Sequence, residues 1–443
     1  MNFSKIKKER RAMIGALIGN VIEFYDFMVF LFLIKYMIYN FFPQDLENIA
    51  TLKALTVSMA AYFVRPAGAL FFGRIGDKRG RKKSLLISIL MATIATACIG
   101  LLPIFKSVDF FAPLLLLLLR ALQGFSVSGE QGGAAVFLRE LLGEENSNFA
   151  GALVVSSIFA GILLGSLVCC CLSVILTDDE MFSWGWRLPF LFAFPLGIIS
   201  FWYRASTKES PIFLDLLNNK KTSKYPVKEL FLIYWKQLLL LILIGSVYAA
   251  TTSIYMVFVP NYLSIRNIAS YSSSMFSMSV GLLFMCIIIP IIGAFMDRVD
   301  FHKTIKLSII IAGVVAMPAI INILSTQKVN QLIGQAGFII MISLVAAPIF
   351  TIIVETFPPK IRCVGVSFVF NTSITLFSAL TPVVAFMLVN ITNNIVLPSF
   401  CIIIPAVFCF LAYKILLLKI KHDERNKTTN SNKTALNYVT IKT

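Results

Sequence analysis

Charge is what this chain has least of. Only 14% of its 443 residues are Asp, Glu, Lys or Arg, against about 25% in a water-soluble domain, and that shortfall excludes a soluble globular fold. Histidine is reduced to His302 and His422, both on the side assigned below to the cytoplasm and given no role. The eight cysteines are Cys98, Cys169, Cys170, Cys171, Cys286, Cys363, Cys401 and Cys409. Nearly all lie in or beside apolar runs and no pair has zinc-ligand spacing, so they read as small hydrophobes packed between helices, with no metal site among them. Acids are outnumbered 22 to 39, a net charge of +17, yet no soluble basic segment is present to hold a nucleic acid. No enzyme constellation appears, and no cofactor is called for.

Apolar sequence is what remains, at 58% of the chain. A window of about 20 apolar residues, enough to cross lipid as a helix, can be placed twelve times. The windows lie near 12–39, 53–72, 84–104, 111–137, 149–176, 187–203, 237–260, 274–296, 305–324, 332–354, 364–390 and 396–418. The first run is too long for a signal-peptide core and no small-residue cleavage site follows it, so it is read as a retained span. Basic residues crowd alternate connections: MNFSKIKKERR, GRIGDKRGRKK, the stretch from Arg204 to Lys228, the 8–9 and 10–11 connections, and the tail. The opposite loops include TDDE at Thr177–Glu180. The positive-inside rule then puts both termini in the cytoplasm. The expected organisation is a six-helix bundle over 1–203, a cytoplasmic central loop over 204–236, a second six-helix bundle over 237–418 and a cytoplasmic tail over 419–443. The tail is short and polar and has no heptads.

The two halves repeat. GRIGD at Gly73–Asp77 returns as GAFMD at Gly293–Asp297, 220 residues later. Glu140 and Gly151 after span 4 correspond to Glu355 and Gly365 after span 10, at offsets of 215 and 214. Two parallel six-span repeats around a central cavity are a transporter architecture. GRIGDKRGRKKSL (Gly73–Leu85) resembles the signature loop of the major facilitator superfamily. In that loop Gly73 and Gly76 permit close helix approach, Asp77 accepts hydrogen bonds from a neighbouring helix end, and Arg81, Lys82 and Lys83 hold the cytoplasmic face. IEFYDF (Ile22–Phe27), RPAGALFFGRIGD (Arg65–Asp77), RALQGFSVSGEQGGA (Arg120–Ala134), ETFPPKIRCVGVSFVFN (Glu355–Asn371) and TPVVA (Thr381–Ala385) are similar to the metabolite/proton symporter branch, which includes bacterial proline/betaine transporters. The departures are Ser128 and Gln131, where the family more often has glycine and an aromatic, and FSALTP, which lacks the glycine pair usual before its Thr-Pro.

The resemblance implies an all-α membrane protein of twelve transmembrane helices in the bacterial inner membrane. It further implies proton-coupled uptake of a small metabolite by alternating access, with substrate, protons and the bilayer as partners and a monomer as the working unit. Gly73, Asp77 and Arg81 would form the conformational gating loop.

Charge inside the spans falls in the first half. Glu23 and Asp26 are three residues apart and share a helix face, although an acid at mid-membrane costs roughly 2.5–3.5 kcal/mol to insert. Arg120, Gln123 and Glu130 share a face of span 4. Depth alone suggests an Asp26–Arg120 ion pair, with Glu23 left to exchange a proton and Glu130 next in line. Arg65 is expected to snorkel or cap the inner end of span 2. The second half offers Tyr248, Thr251, Ser253, Tyr255, Tyr262 and Asn371 instead. With Tyr25 and Gln123, the residues Tyr248, Tyr255 and Asn371 are the candidate substrate cavity, where aromatic faces can hold a quaternary ammonium while Arg120 takes a carboxylate. This favours a zwitterion such as proline or glycine betaine. A di- or tricarboxylate such as 2-oxoglutarate or citrate would want more cations. A drug-efflux antiporter and a non-transporting nutrient sensor stay open as further alternatives.

Overall fold

Backbone that crosses lipid must satisfy its hydrogen bonds within itself, so apolar runs of this length become helices. The computed structural model describes residues 3–43, 53, 56, 57 and 59–419. His422 and the tail from 420 lie outside the described residues. Among the described residues, eleven helices are long and apolar enough to cross a membrane. The expected second span falls partly outside them, and its later part is a helix beginning at Arg65.

The first half comprises α1 (Phe3–Phe32), α2 (Ile34–Phe41), α3 (Arg65–Arg79), α4 (Arg81–Leu101), α5 (Phe111–Leu142), α6 (Ser147–Ile175) and α7 (Arg187–Ala205). The central connection folds into two short helices, α8 (Pro211–Asn218) and α9 (Pro226–Ile233). The second half runs α10 (Trp235–Ser253), α11 (Val259–Ile265), α12 (Tyr271–Met296), α13 (Phe301–Ile323), α14 (Lys328–Thr356), α15 (Arg362–Ser373) and α16 (Ala379–Thr392). A last span occupies Leu397–Lys419. Two π-helical turns, Ile254–Phe258 and Ile374–Ser378, join α10 to α11 and α15 to α16. Such turns widen the backbone locally and recur at functional positions.

Burial follows the helical period. On α12, Met278, Leu282, Met285 and Ile289 are buried, while Phe276, Leu283, Phe284, Ile287 and Ile291 are exposed. The first set packs into the bundle, and the second forms an apolar outer face that suits lipid. Prolines inside α7, α12, α13, α14 and α16 are tolerated for the same reason: neighbouring helices and local adjustment satisfy the freed carbonyls.

The halves meet along two seams, α3 against α15 and α6 against α12. Small polar groups stitch both. Ser156 Oγ donates to the Cys286 carbonyl at 2.6 Å and the Ser166 and Ser279 hydroxyls are 2.8 Å apart. Thr375 Oγ1 donates to the Tyr62 carbonyl at 2.8 Å.

Candidate functional site

At the basic end of the bundle the repeat becomes a crossed lock. Asp77, from the first half, accepts the backbone N–H groups of Cys363 and Val364 at 3.0 and 2.9 Å, in the first turn of α15. Its counterpart Asp297 accepts those of Asn148 and Phe149, both at 2.9 Å, in the first turn of α6. A helix N-terminus presents unsatisfied N–H groups and a positive dipole end, which is why a carboxylate serves at both places. Gly73 makes the approach possible: a Cβ there would strike the Val364 backbone. The second pair of repeated acids crosses too. Glu140 meets Arg81 at 3.3 Å and Arg362 at 3.6 Å, and Glu355 meets Arg139 at 2.5 Å.

The central connection braces this lock. Glu209 accepts from the N–H groups of Arg81 (3.0 Å) and Lys82 (3.2 Å), capping α4, and Ser210 Oγ donates to Glu140. Lys360 in turn pairs with Glu229 of α9. Nearby, the Asp300 carboxylate caps α13 by accepting from the Lys303 N–H, which holds its carboxyl below the usual range. Asp77→Asn should keep the fold but weaken one of the two crossed caps, shifting the resting population toward opening at this end. A cysteine-accessibility assay at the native Cys363, which is 2% exposed, should read at least a threefold faster labelling. An unchanged rate would mean that the lock does not govern opening.

Mid-bundle, the described residues bring Glu23, Asp26, Arg120, Gln123 and Glu130 into one buried column, but not in the pairing expected from depth. Asp26 and Arg120 form no ion pair. Both oxygens of Glu23 and both of Asp26 are buried without a hydrogen-bond partner, as are Arg120 Nε and Nη2. Arg120 Nη1 instead donates to the Phe27 carbonyl (3.2 Å) and Gln123 Oε1 (2.7 Å), and its guanidinium lies over the rings of Phe27 (4.9 Å) and Phe30 (4.4 Å). Gln123 Nε2 donates to the Asp26 carbonyl and to Thr96 Oγ1. Arg120 and Gln123 do lie level with Asp26 and Phe27, whose carbonyls they reach, but main-chain acceptors and two rings claim the cation before the carboxylate can.

Glu130 has a partner that the positive-inside reading had placed in a loop. Arg204 belongs to the last turn of α7, is 3% exposed, and grips Glu130 with both terminal nitrogens. Its remaining donors reach the carbonyls of Gly15, Ala16 and Leu85 at 2.9–3.2 Å. Gly19 leaves the room, since a Cβ there would collide with the guanidinium. Ser88 adds a bond to Glu130 at 3.3 Å. The charged groups acting on Glu23 are accordingly Glu130, Arg204, Asp26 and Arg65.

Three further expectations change. Arg65 does not snorkel: it is 1% exposed, with its guanidinium over Phe27 at 4.3 Å and Tyr62 at 4.8 Å. Tyr25 leaves the cavity, because its hydroxyl donates to the Pro189 carbonyl at 2.7 Å. It sits two positions from Glu23, about 200° round the helix, and so faces α7. Tyr255 turns toward α12 and α14, beside Phe338 and a small cavity that also takes in Ser274, Ser277 and Gln335. Tyr248 is buried against Phe370. Asn371 does reach across the halves, donating to the Ser128 carbonyl at 3.1 Å. Gln131 is wholly buried with both amide atoms unpartnered. Among the described residues no cluster of His, Cys, Asp and Glu could hold a metal ion.

Comparison with known proteins agrees with this architecture. The sequence family described as Major Facilitator Superfamily matches residues 16–382. The "Proline/betaine transporter" of Escherichia coli (strain K12) is 32% identical over 416 residues, covering 90% of this chain and 82% of its own. The "Glycine betaine/proline/ectoine/pipecolic acid transporter OusA" of Dickeya dadantii (strain 3937) is 31% identical over 414 residues, covering 90% and 81%. Among solved structures, the proton:xylose symporter XylE superposes with a TM-score of 0.72 at 14% identity, over 93% of this chain and 96% of its own. The likeness to that structure concerns the fold alone. With its spans, crossed lock and buried charge column, this chain is a multi-pass transporter, not an enzyme, and it belongs to the major facilitator superfamily, where it resembles the proline/betaine transporters.

Proposed function

We propose that the chain carries a small zwitterion such as proline or glycine betaine into the bacterial cytoplasm together with a proton. One observation carries this reading: buried charges of both signs, Glu23 and Asp26 against Arg120, share the column without neutralising one another. An ionised group held without a partner at this depth is costly. A ligand with one cationic and one anionic pole, plus one proton, removes that cost at each group. The carboxylate goes to Arg120, the ammonium to Asp26, and the proton to Glu23. Glu130 is already committed to Arg204. The names of the relatives support the same substrate class.

The transport cycle follows from the crossed lock. The basic end, cytoplasmic by the positive-inside rule, is the closed end here. Loading the column from outside would let the halves, 1–203 and 237–418, rock about the seams and part the Asp77 and Asp297 caps. Tyr248 and Asn371 on the second half are the candidate contacts that sense the load.

A di- or tricarboxylate is the competing substrate, favoured by a second buried arginine, Arg65. Uptake into proteoliposomes of labelled proline, glycine betaine, 2-oxoglutarate and citrate, under an imposed proton gradient, separates the two. Accumulation of the zwitterions alone is expected, and accumulation of the carboxylates alone overturns the reading.

A further inference from the structure

The geometry points to a two-arginine carboxylate clamp, Arg65 and Arg120 held on the Phe27 ring, as the anion-binding half of the transport site. It rests on the proposed uptake function for its ligand but not for its chemistry. Both guanidinium carbons lie over one aromatic ring, at 4.3 and 4.9 Å from its centroid, and both side chains are 0–1% exposed. Among the described residues neither cation has a carboxylate within ion-pair distance. Arg65 Nε and Arg120 Nε and Nη2 are buried donors with no acceptor. Two buried like charges on one ring, close enough for Arg65 to act on Arg120, raise the cost that each carries alone. Stacking on Phe27 and Tyr62 offsets part of it, but a ring supplies no acceptor for an N–H in the guanidinium plane. A carboxylate does, and its two oxygens match the planar fork that Arg presents and Lys lacks.

The backbone brings the two arginines together on purpose-built ground. A Cβ on Gly124 of α5 would strike the Ala61 carbonyl, and one on Gly68 of α3 would strike the Phe125 carbonyl. These two glycines let the segments around Arg65 and Arg120 touch. The Tyr62 carbonyl, three residues before Arg65, receives the Thr375 hydroxyl from the π turn of the second half. The clamp therefore sits where the halves meet, and a bound carboxylate would lie at the seam that transport must work.

The test compares ligand pairs that differ only at the carboxylate. Binding of glycine betaine and of choline, which keeps the trimethylammonium and loses the carboxylate, is measured by thermal shift on the purified full-length protein, wild type and Arg65→Gln. Wild type should prefer glycine betaine, and Arg65→Gln should cut that preference roughly 10- to 100-fold, the range for a lost charged hydrogen bond, while leaving choline nearly unchanged. A merely structural Arg65 would weaken both ligands alike, and an unchanged ratio overturns the clamp. Should Arg65→Gln not fold, Arg65→Lys keeps the charge without the fork and should still lower the ratio. Should wild type bind neither zwitterion nor choline, the uptake reading falls. The clamp is then judged with succinamate against succinamide, which replaces the one carboxylate by a neutral amide: a preference for succinamate that Arg65→Lys reduces sustains it, and no preference, or one that Arg65→Lys leaves unchanged, overturns it.

Discussion

Glu23→Gln should abolish accumulation of substrate driven by a proton gradient and spare counterflow, the exchange of labelled for unlabelled substrate across the membrane. Exchange needs the loaded protein to reorient but moves no net proton, whereas accumulation needs each inward passage to carry one. A pH gradient of one unit can hold about a tenfold accumulation at one proton per substrate, because a unit corresponds to roughly 1.4 kcal/mol. The variant should fall from that ratio to equality. Glu23 is singled out because both its oxygens are buried without a partner while the other deep acid of the column, Glu130, is held by Arg204. Asp26→Asn should behave differently, weakening gradient-driven uptake and counterflow together, since both require the substrate's cationic end to be bound. Full accumulation by Glu23→Gln would remove it as the obligatory carrier.

Glu130→Gln should fail by a different route, through stability. Removing one partner of a buried ion pair strands the other charge, at a cost of about 3–5 kcal/mol, and Arg204 here also ties α7 to the carbonyls of α1 and α4. The purified variant should unfold at a clearly lower temperature than wild type. The double change Glu130→Gln with Arg204→Met should lose less than the two single changes together, as expected for groups in contact. Additive losses would show that the pair contributes nothing beyond its separate surroundings. A variant that stayed stable but lost only gradient-driven accumulation would move the carrier role from Glu23 to Glu130.

Much of this architecture was legible from residue order. Long apolar runs specify membrane helices with little ambiguity because lipid leaves the backbone no other choice. The repeat was visible because Asp77 and Asp297, and Glu140 and Glu355, fall at nearly equal spacing, and the folded protein uses each pair at equivalent crossed contacts. The pairing of charges was not legible. Depth along a helix can be counted, but the direction of a long side chain and the competition from main-chain acceptors cannot. Arg120 turned to the carbonyl of Phe27, and Arg204 reached back from a helix end into the bundle. Arg204 reads as a loop cation because charge at a span boundary is usually solvated. The one available signal was Gly19, a small residue on the charged face of α1 where that guanidinium passes. The apolar run that carries Arg65 ends near 72, whereas its helix continues to Arg79. Seven residues of extra helix, about 10 Å at 1.5 Å per residue, move Arg65 from the margin into the bundle.

Coupling of substrate entry to proton entry is the claim on which the roles of Glu23, Asp26 and Arg120 all depend. It is read most directly in proteoliposomes holding a pH-sensitive dye, with no proton or sodium gradient imposed and with potassium and valinomycin to remove charge build-up. Adding proline or glycine betaine outside should acidify the interior in step with uptake of the labelled compound. Glu23→Gln should give no acidification. Entry of labelled substrate into wild-type vesicles at constant internal pH would contradict the account.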